Sequence, residues 1–220
     1  MSTSMDVFTI PGKNYDSNVF VVNGKIPTII DTGTGFYSKE IIEIIQTLLN
    51  ITKIQQVLLT HEHYDHVGGV NDFIQATKGK AKIFAHESIV IKLRDGKSSF
   101  AEMLGGMMPK IEVDVPLKDN QQITIGDENV KVLATPGHSN GSVCFYAEEC
   151  GVLFSGDTVF AFGGFGRYDF PGGDFAFLQR SVERLAKLDV KSLYPGHGPI
   201  IETNGKDHVL QSLRSIRSLV

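Results

Sequence analysis

Five of the seven histidines in this chain fall within three short motifs. The densest is Thr60-His61-Glu62-His63-Tyr64-Asp65-His66, where His61, His63, Asp65 and His66 offer imidazole nitrogens and a carboxylate to a metal ion. In an extended segment residues i and i+2 face one side, so His61 and His63 can grip one ion together. Asp65 and His66 follow on the turn into the next element, placed for a second ion. The pattern differs from the helical zinc motif with His at i and i+4, because position 65 is Asp and a strand precedes it. The plain alternative is a polar loop of solvated histidines, and three histidines with an aspartate at this spacing argue against it.

Three later segments repeat one design, a strand, a glycine turn and a ligand-type residue: Thr135-Pro136-Gly137-His138, Ser155-Gly156-Asp157 and Tyr194-Pro195-Gly196-His197. A glycine before each ligand permits a sharp turn and close backbone approach. Pro-Gly-His alone is a common turn, and Asp157 alone reads as a turn or cap aspartate. Four such segments in one chain point jointly to a metal site. The remaining histidines read plainly: His86 as a cap or surface residue, His208 as an exposed position on the last helix. Cys144 reads as a small buried hydrophobe.

These residues need elements to hold them. Residues 19–22 and 26–30 are apolar runs around Asn23-Gly24, which predicts a type I′ hairpin. Ser38 is a candidate N-cap for a helix with Ile41, Ile44, Ile45, Leu48 and Leu49 at helical spacing. Residues 55–60 read as a buried strand ending at His61, residues 67–76 as a helix weakened by a glycine pair, and 81–85 as a strand. In the second half, strands at 122–125 and 130–133 bracket a turn at 126–129, and 142–146 with 151–154 form a further hairpin. Asp174 N-caps a helix to about Leu188, a strand at 192–194 runs into His197, and a last helix spans roughly 207–219. Strands followed by helices in both halves favour sheets covered by helices. Two glycine-rich segments, 96–110 and 160–173, carry Phe100, Met103, Leu104, Met107, Met108 and five aromatics respectively. Loops this apolar either pack into the core or wall a substrate pocket, to which Tyr64, Phe36 and Tyr37 are further candidates.

The chain has 220 residues, 41% of them hydrophobic and 21% charged, which fits a folded domain and excludes disorder. No run approaches the ~18 apolar residues of a membrane span. The first residues lack both a basic segment and an apolar run, and two cysteines make no disulfide scaffold, so a reducing cytoplasm is expected. A formal charge of -4 without a basic block makes nucleic acid an unexpected partner.

On these motifs the chain resembles the metallo-β-lactamase superfamily, in its glyoxalase II-like hydrolase branch. The family's five motifs stand here as Asp31 in Ile-Asp-Thr-Gly, the His61–His66 segment, His138, Asp157 and His197, in order. The resemblance implies an α/β fold, a four-layer αββα sandwich of two mixed sheets flanked by helices, as one domain over 1–220. It implies one metal site at His61, His63 and His138, a second at Asp65, His66 and His197, and Asp157 bridging them. Asp31 is expected beside the site, supporting a ligand or organising its loop. Two divalent ions per chain follow, zinc first, with iron or manganese as alternatives. Such a pair lowers the pKa of a shared water from about 15.7 to about 7, a nucleophile for a carbonyl carbon. Asp65 and Asp157 are the expected catalytic carboxylates, and Arg167 and Tyr168 the expected substrate contacts, for a small anionic acyl substrate. Arg167 has a second reading, a salt bridge that holds its own loop.

Glyoxalase II proper continues into a helical glutathione-binding extension, whereas 23 residues follow His197 here, so no such extension is expected. Alternatives are a lactonase, a metal-binding module without catalysis, and a persulfide dioxygenase-like enzyme. The last would use one iron on His61, His138 and Asp157, and it shares the stretch Gly166-Arg167-Tyr168-Asp169-Phe170. The apolar face around 96–108 admits a homodimer.

Overall fold

A computed structural model describes residues 5–97 and 100–219. Residues 1–4, part of the stretch read for a leader, and Ser98 and Ser99 of the glycine-rich segment lie outside the described residues, as does residue 220. Two mixed sheets form the centre. The first has the order β1 (Val7–Ile10), β2 (Val19–Val22), β3 (Thr28–Ile30), β4 (Gln56–Leu58), β5 (Lys82–His86) and β6 (Val115–Leu117). Its first three strands are antiparallel and β3 to β6 are parallel. In the second sheet β7 (Gln122–Ile125), β8 (Glu128–Ala134), β9 (Val143–Ala147) and β10 (Val152–Gly156) run antiparallel, and β11 (Ser192–Pro195) joins β10 in parallel.

Strand alternation explains the layers, because successive side chains leave opposite faces of a strand. On β2, Phe20 and Val22 enter the core between the sheets, while Val19 and Val21 face an outer core. That outer core is closed by Ile41 and Ile45 of α1 (Ser38–Leu48), by Val70 and Phe73 of α3 (Val70–Ala76), and by Leu93 of α4 (Val90–Arg94). On β9, Val143 and Phe145 point inward, and Cys144 and Tyr146 meet α5 (Phe175–Leu185) and α6 (Gly205–Arg217). The result is the expected αββα sandwich. Among the described residues no helix is long and apolar enough to cross a membrane.

Several local expectations are corrected. The link after Asn23-Gly24 is no type I′ turn: Val22 pairs with Thr28, so residues 23–27 form the loop. Ile26 leaves its sheet to exchange two backbone bonds of 2.9 Å with Gly126, and that link outcompetes the tight hairpin. The turn between β7 and β8 is the two residues 126–127, shorter than the expected 126–129. Ser38 is the first residue of α1, not its cap, because Gly35 already turns the backbone and its carbonyl accepts from the Ser38 N–H. The helix expected at 67–76 is two, α2 (Tyr64–Val67) and α3, broken at the glycine pair. There the loop after β3 presses so close that a Cβ on Gly68 would stand 2.2 Å from the Thr34 carbonyl oxygen. Asp174 does cap α5, accepting from the Phe177 N–H at 2.8 Å, although α5 ends at Leu185 rather than Leu188. Cys144 is fully buried, and burial pushes its thiol up to about 11. His86 caps a short 3-10 turn, whereas His208 is half-buried and accepts from the Phe162 N–H.

Candidate metal centre

Every motif residue sits just past the carboxyl end of a strand, at one edge of the sandwich. Asp31 follows β3, the His61–His66 segment follows β4, His138 follows β8, Asp157 follows β10 and His197 follows β11. The parallel pairing of β10 with β11 sets Asp157 and His197 side by side, tied by a bond of 2.8 Å from the Gly196 N–H to the Gly156 carbonyl. The sheets are locked together at this edge, where Val143 N–H donates to the Thr60 carbonyl at 2.8 Å.

The structure brings seven of the expected residues together. His61, His63 and His138 form one group, and Asp65, His66 and His197 another, each with ligand atoms within 4.8 Å of one another. Asp157 stands between them, its oxygens 3.4 Å from His66 Nε2, 3.6 Å from His138 Nε2 and 3.7 Å from His197 Nε2. His63 Nδ1 and His138 Nε2 are 2.9 Å apart, and His197 Nε2 is 3.0 Å from Asp65 Oδ2. Ligands about 2.1 Å from a tetrahedral ion lie about 3.4 Å from one another, so these separations suit a shared cation.

Hydrogen bonds behind the cluster aim the lone pairs at it. His138 Nδ1 lies 2.7 Å from the Arg167 carbonyl, which can only accept, so Nε2 keeps its lone pair. His66 Nδ1 is held by Asp31 Oδ2 at 2.8 Å in the same way. Asp31 thus stands behind the cluster as expected, and it adopts a left-handed φ of 58°, a region Asp tolerates better than most residues. Its two oxygens also accept from Thr60 N at 2.8 Å and Thr60 Oγ1 at 2.7 Å. Having donated its proton to Asp31, the Thr60 hydroxyl can accept from His61 Nδ1, 3.1 Å away, which leaves the His61 Nε2 lone pair free.

His61 Nε2, His63 Nε2 and Asp157 Oδ1 are buried without a hydrogen-bond partner. Such atoms cost about 1–3 kcal/mol each when unsatisfied, and a divalent cation is the partner that His61 and Asp157 lack. The electrostatics agree. Burial, then the neighbouring imidazoles, hold His61 well below its ordinary pKa. Burial, then His138, brings His63 down to about 3, so both are neutral donors. Burial opposes ionisation of Asp157, yet His66 and His197 hold its carboxyl far below the usual carboxylate range. Burial likewise opposes charge on His66 and His197, and Asp157 is the main group that raises both. The carboxylates thus favour positive charge at this end of the cluster.

A cleft of about 460 Å³ opens onto the cluster, with His63, Asp65, His138, Asp157 and His197 at its floor. Both glycine-rich segments wall it: Phe100, Met103 and Leu104 from the first, Phe160, Phe165 and Phe170 from the second. The two expected substrate contacts divide. Arg167 lines the cleft, but its guanidinium is paired with both Asp169 oxygens at 3.0 and 2.7 Å and lies 4.1 Å over the Phe170 ring. Tyr168 turns away from the cleft and packs on Phe175, 4.9 Å between ring centres, in the core under α5. Tyr64, Phe36 and Tyr37 also stay out of the wall: Tyr64 is buried against Phe36.

Three positions carry more than the sequence reading assigned them. Thr60 sets the His61 tautomer. Glu62 points away from its flanking histidines, as alternation requires, and is buried in bonds to Lys92 at 3.0 Å and Ser139 at 2.7 Å. It thereby ties the first ligand loop to the loop of His138. Asn18 grips the turn around His197, donating from its side chain to the Pro195 and Gly198 carbonyls at 2.9 and 3.0 Å. Only Thr60 and Glu62, lying within the motif, left a signal in the sequence.

Residues 12–197 match the family model of the metallo-beta-lactamase superfamily. A probable metallo-hydrolase of Methanocaldococcus jannaschii is 29% identical over 200 residues, covering 88% of this chain and 93% of that one. A hydroxyacylglutathione hydrolase of Maricaulis maris is 35% identical over 145 residues, 66% of this chain and 48% of that one. Among solved structures, the B3 metallo-beta-lactamase BLEG-1 superposes with a TM-score of 0.78 at 29% identity, covering 91% of this chain and 95% of that one. TTHA1623, solved in a di-iron-bound form, gives 0.75 at 32% identity, covering 95% and 97%. With its ligand-type residues converging on one edge of an αββα sandwich, the chain belongs to the metallo-β-lactamase superfamily.

Proposed function

We propose that this metallo-hydrolase holds two divalent ions and cleaves a thioester or ester carbonyl. The observation that carries the reading is the pair of three-residue groups with the Asp157 carboxylate between them. His61, His63 and His138 would hold one ion, Asp65, His66 and His197 the other, and Asp157 both. Zinc suits the imidazole-rich set, and the relative solved in a di-iron-bound form makes iron the first alternative. Ions so bound supply Lewis acidity to the carbonyl oxygen and lower the pKa of a water toward 7.

The chain's own groups do the rest. Asp65 is partly exposed at the cleft floor, where its carboxylate orients the attacking water and takes its proton. Water oxygen bonds to the acyl carbon, the carbon–sulfur bond breaks, and the thiol leaves with the proton. The apolar walls exclude bulk water around the carbonyl.

Metal quantitation on protein purified without chelator, paired with S-lactoylglutathione and simple thioester assays, tests the reading. Two ions per chain and hydrolysis without oxygen consumption are expected. One iron per chain with persulfide-dependent oxygen uptake would overturn it in favour of the dioxygenase.

A further inference from the structure

We propose that the cleft selects acyl groups that are apolar and uncharged, a substrate class opposite to the carboxylate-bearing one that Arg167 suggests in the sequence. The inference rests on the hydrolase reading for its reaction and on the cleft for its content. Six side chains, Phe100, Met103, Leu104, Phe160, Phe165 and Phe170, make the wall above the ligand cluster. Arg167 is the one Lys or Arg side chain among the described residues lining the cleft, and it is already matched. Its two bonds to Asp169 are bidentate, and its flat face is spent on the Phe170 ring. The pair is exposed and adds little stability, but its effect on recognition is different. A substrate carboxylate must compete with one held two residues away at high effective concentration. An approaching anion therefore meets a neutral pair. An alkyl or aryl chain meets apolar surface, including Met103, which is 70% exposed at the rim and has contact area to gain.

The test uses the metal-loaded full chain and acetyl, butyryl, hexanoyl and succinyl thioesters of N-acetylcysteamine, an uncharged leaving group. Burying a methylene is worth up to about fourfold, so kcat/KM should rise about two- to fourfold per methylene from acetyl to hexanoyl. Succinyl, the carboxylate-bearing match to butyryl, should be at least about tenfold poorer. Met103→Glu should remove most of the hexanoyl advantage, read as a fall of the hexanoyl-to-acetyl ratio of kcat/KM toward one. Asp169→Asn releases the guanidinium and should raise the succinyl-to-butyryl ratio at least about fivefold, a gain that damage to the loop would not give. A flat chain-length series, a succinyl preference in the native protein, or an unmoved ratio in Asp169→Asn would each overturn the proposal. Calorimetric binding of the corresponding thioethers, which cannot be hydrolysed, separates the two readings. Thioether affinity that rises with chain length, without turnover of any thioester, would sink the hydrolase reading and leave the cleft assignment standing. Turnover with affinity independent of chain length would do the reverse.

Discussion

Thr60 does for His61 what Asp31 does for His66: it occupies one ring nitrogen so that the other faces the cluster. The two are also joined, because Asp31 accepts from the Thr60 backbone and hydroxyl. Thr60→Val keeps the shape but removes the acceptor for His61 Nδ1–H and the donor to Asp31. Loss of such supporting bonds typically costs 10–100-fold in metal affinity, and a loss of about that size is expected by chelator competition with the fold intact by circular dichroism. An unchanged affinity would mean that packing alone orients the imidazole. Asp157→Ala acts directly. Among the described residues it removes the one carboxylate within 3.7 Å of all of His66, His138 and His197, so at most one weakly held ion and no turnover are expected. Two retained ions with full activity, read by metal analysis and thioester assay, would refute the bridging role.

At the scale of elements, the ligand-type residues are placed precisely because strand ends hold them and loops reinforce the strand ends. Asn18 illustrates this, since it lies far from His197 in sequence yet closes the turn around it. Asn18→Ala frees two carbonyls and should weaken the ion on Asp65, His66 and His197 about tenfold, with the His61, His63 and His138 ion changed far less. Stepwise chelator titration would show two separated phases where the native protein gives closer ones. Gly196→Ala should be harsher: a Cβ there would sit 2.2 Å from Asp157 Oδ1 and 2.7 Å from His66 Cε1. Loss of at least one ion, with secondary structure preserved, is the expected outcome by metal analysis and circular dichroism. Such contacts mark the limit of reading the sequence. The His61–His66 segment, the strand-glycine-ligand pattern and the Asp174 cap were legible because they are local, set by spacing and by side chains near their own backbone. The Ile26–Gly126 link, the Arg167–Asp169 pair and the orientation of Tyr168 depend on what the second sheet brings near, or on which of two local partners wins. No periodicity encodes those outcomes. The pocket wall lay between these cases: its apolar loops were visible, but their common cleft was not.

For the whole molecule, the cluster is a cross-link as well as the proposed reaction site. Its residues follow β4 of one sheet and β8, β10 and β11 of the other, so one charge network fastens both halves of the sandwich. Without a bound ion the buried carboxylates and imidazoles balance one another, and Asp157 favours protons on His66 and His197 against their burial. An ion present at about a hundred times its Kd stabilises the native state by about 2.7 kcal/mol, and each kcal/mol is worth about 2–4 °C in a chain of this size. Chelation should therefore lower Tm by about 5–10 °C for each ion removed, reversibly on adding metal back, when followed by calorimetry. The sign of its pH dependence follows from competition at the same nitrogens. Because His66 and His197 bind protons more tightly than ordinary imidazoles, falling pH favours the protonated form over the metal-bound one. The Tm gap between metal-loaded and chelated protein should thus narrow as pH falls from about 8 to about 6, a competition that begins above the ordinary histidine range because both groups are raised. Asp157→Ala should show a much smaller gap throughout. A gap of equal size at both pH values would mean that the ions do not displace these protons, and that the positive charge on His66 and His197 belongs to the fold rather than standing in for metal.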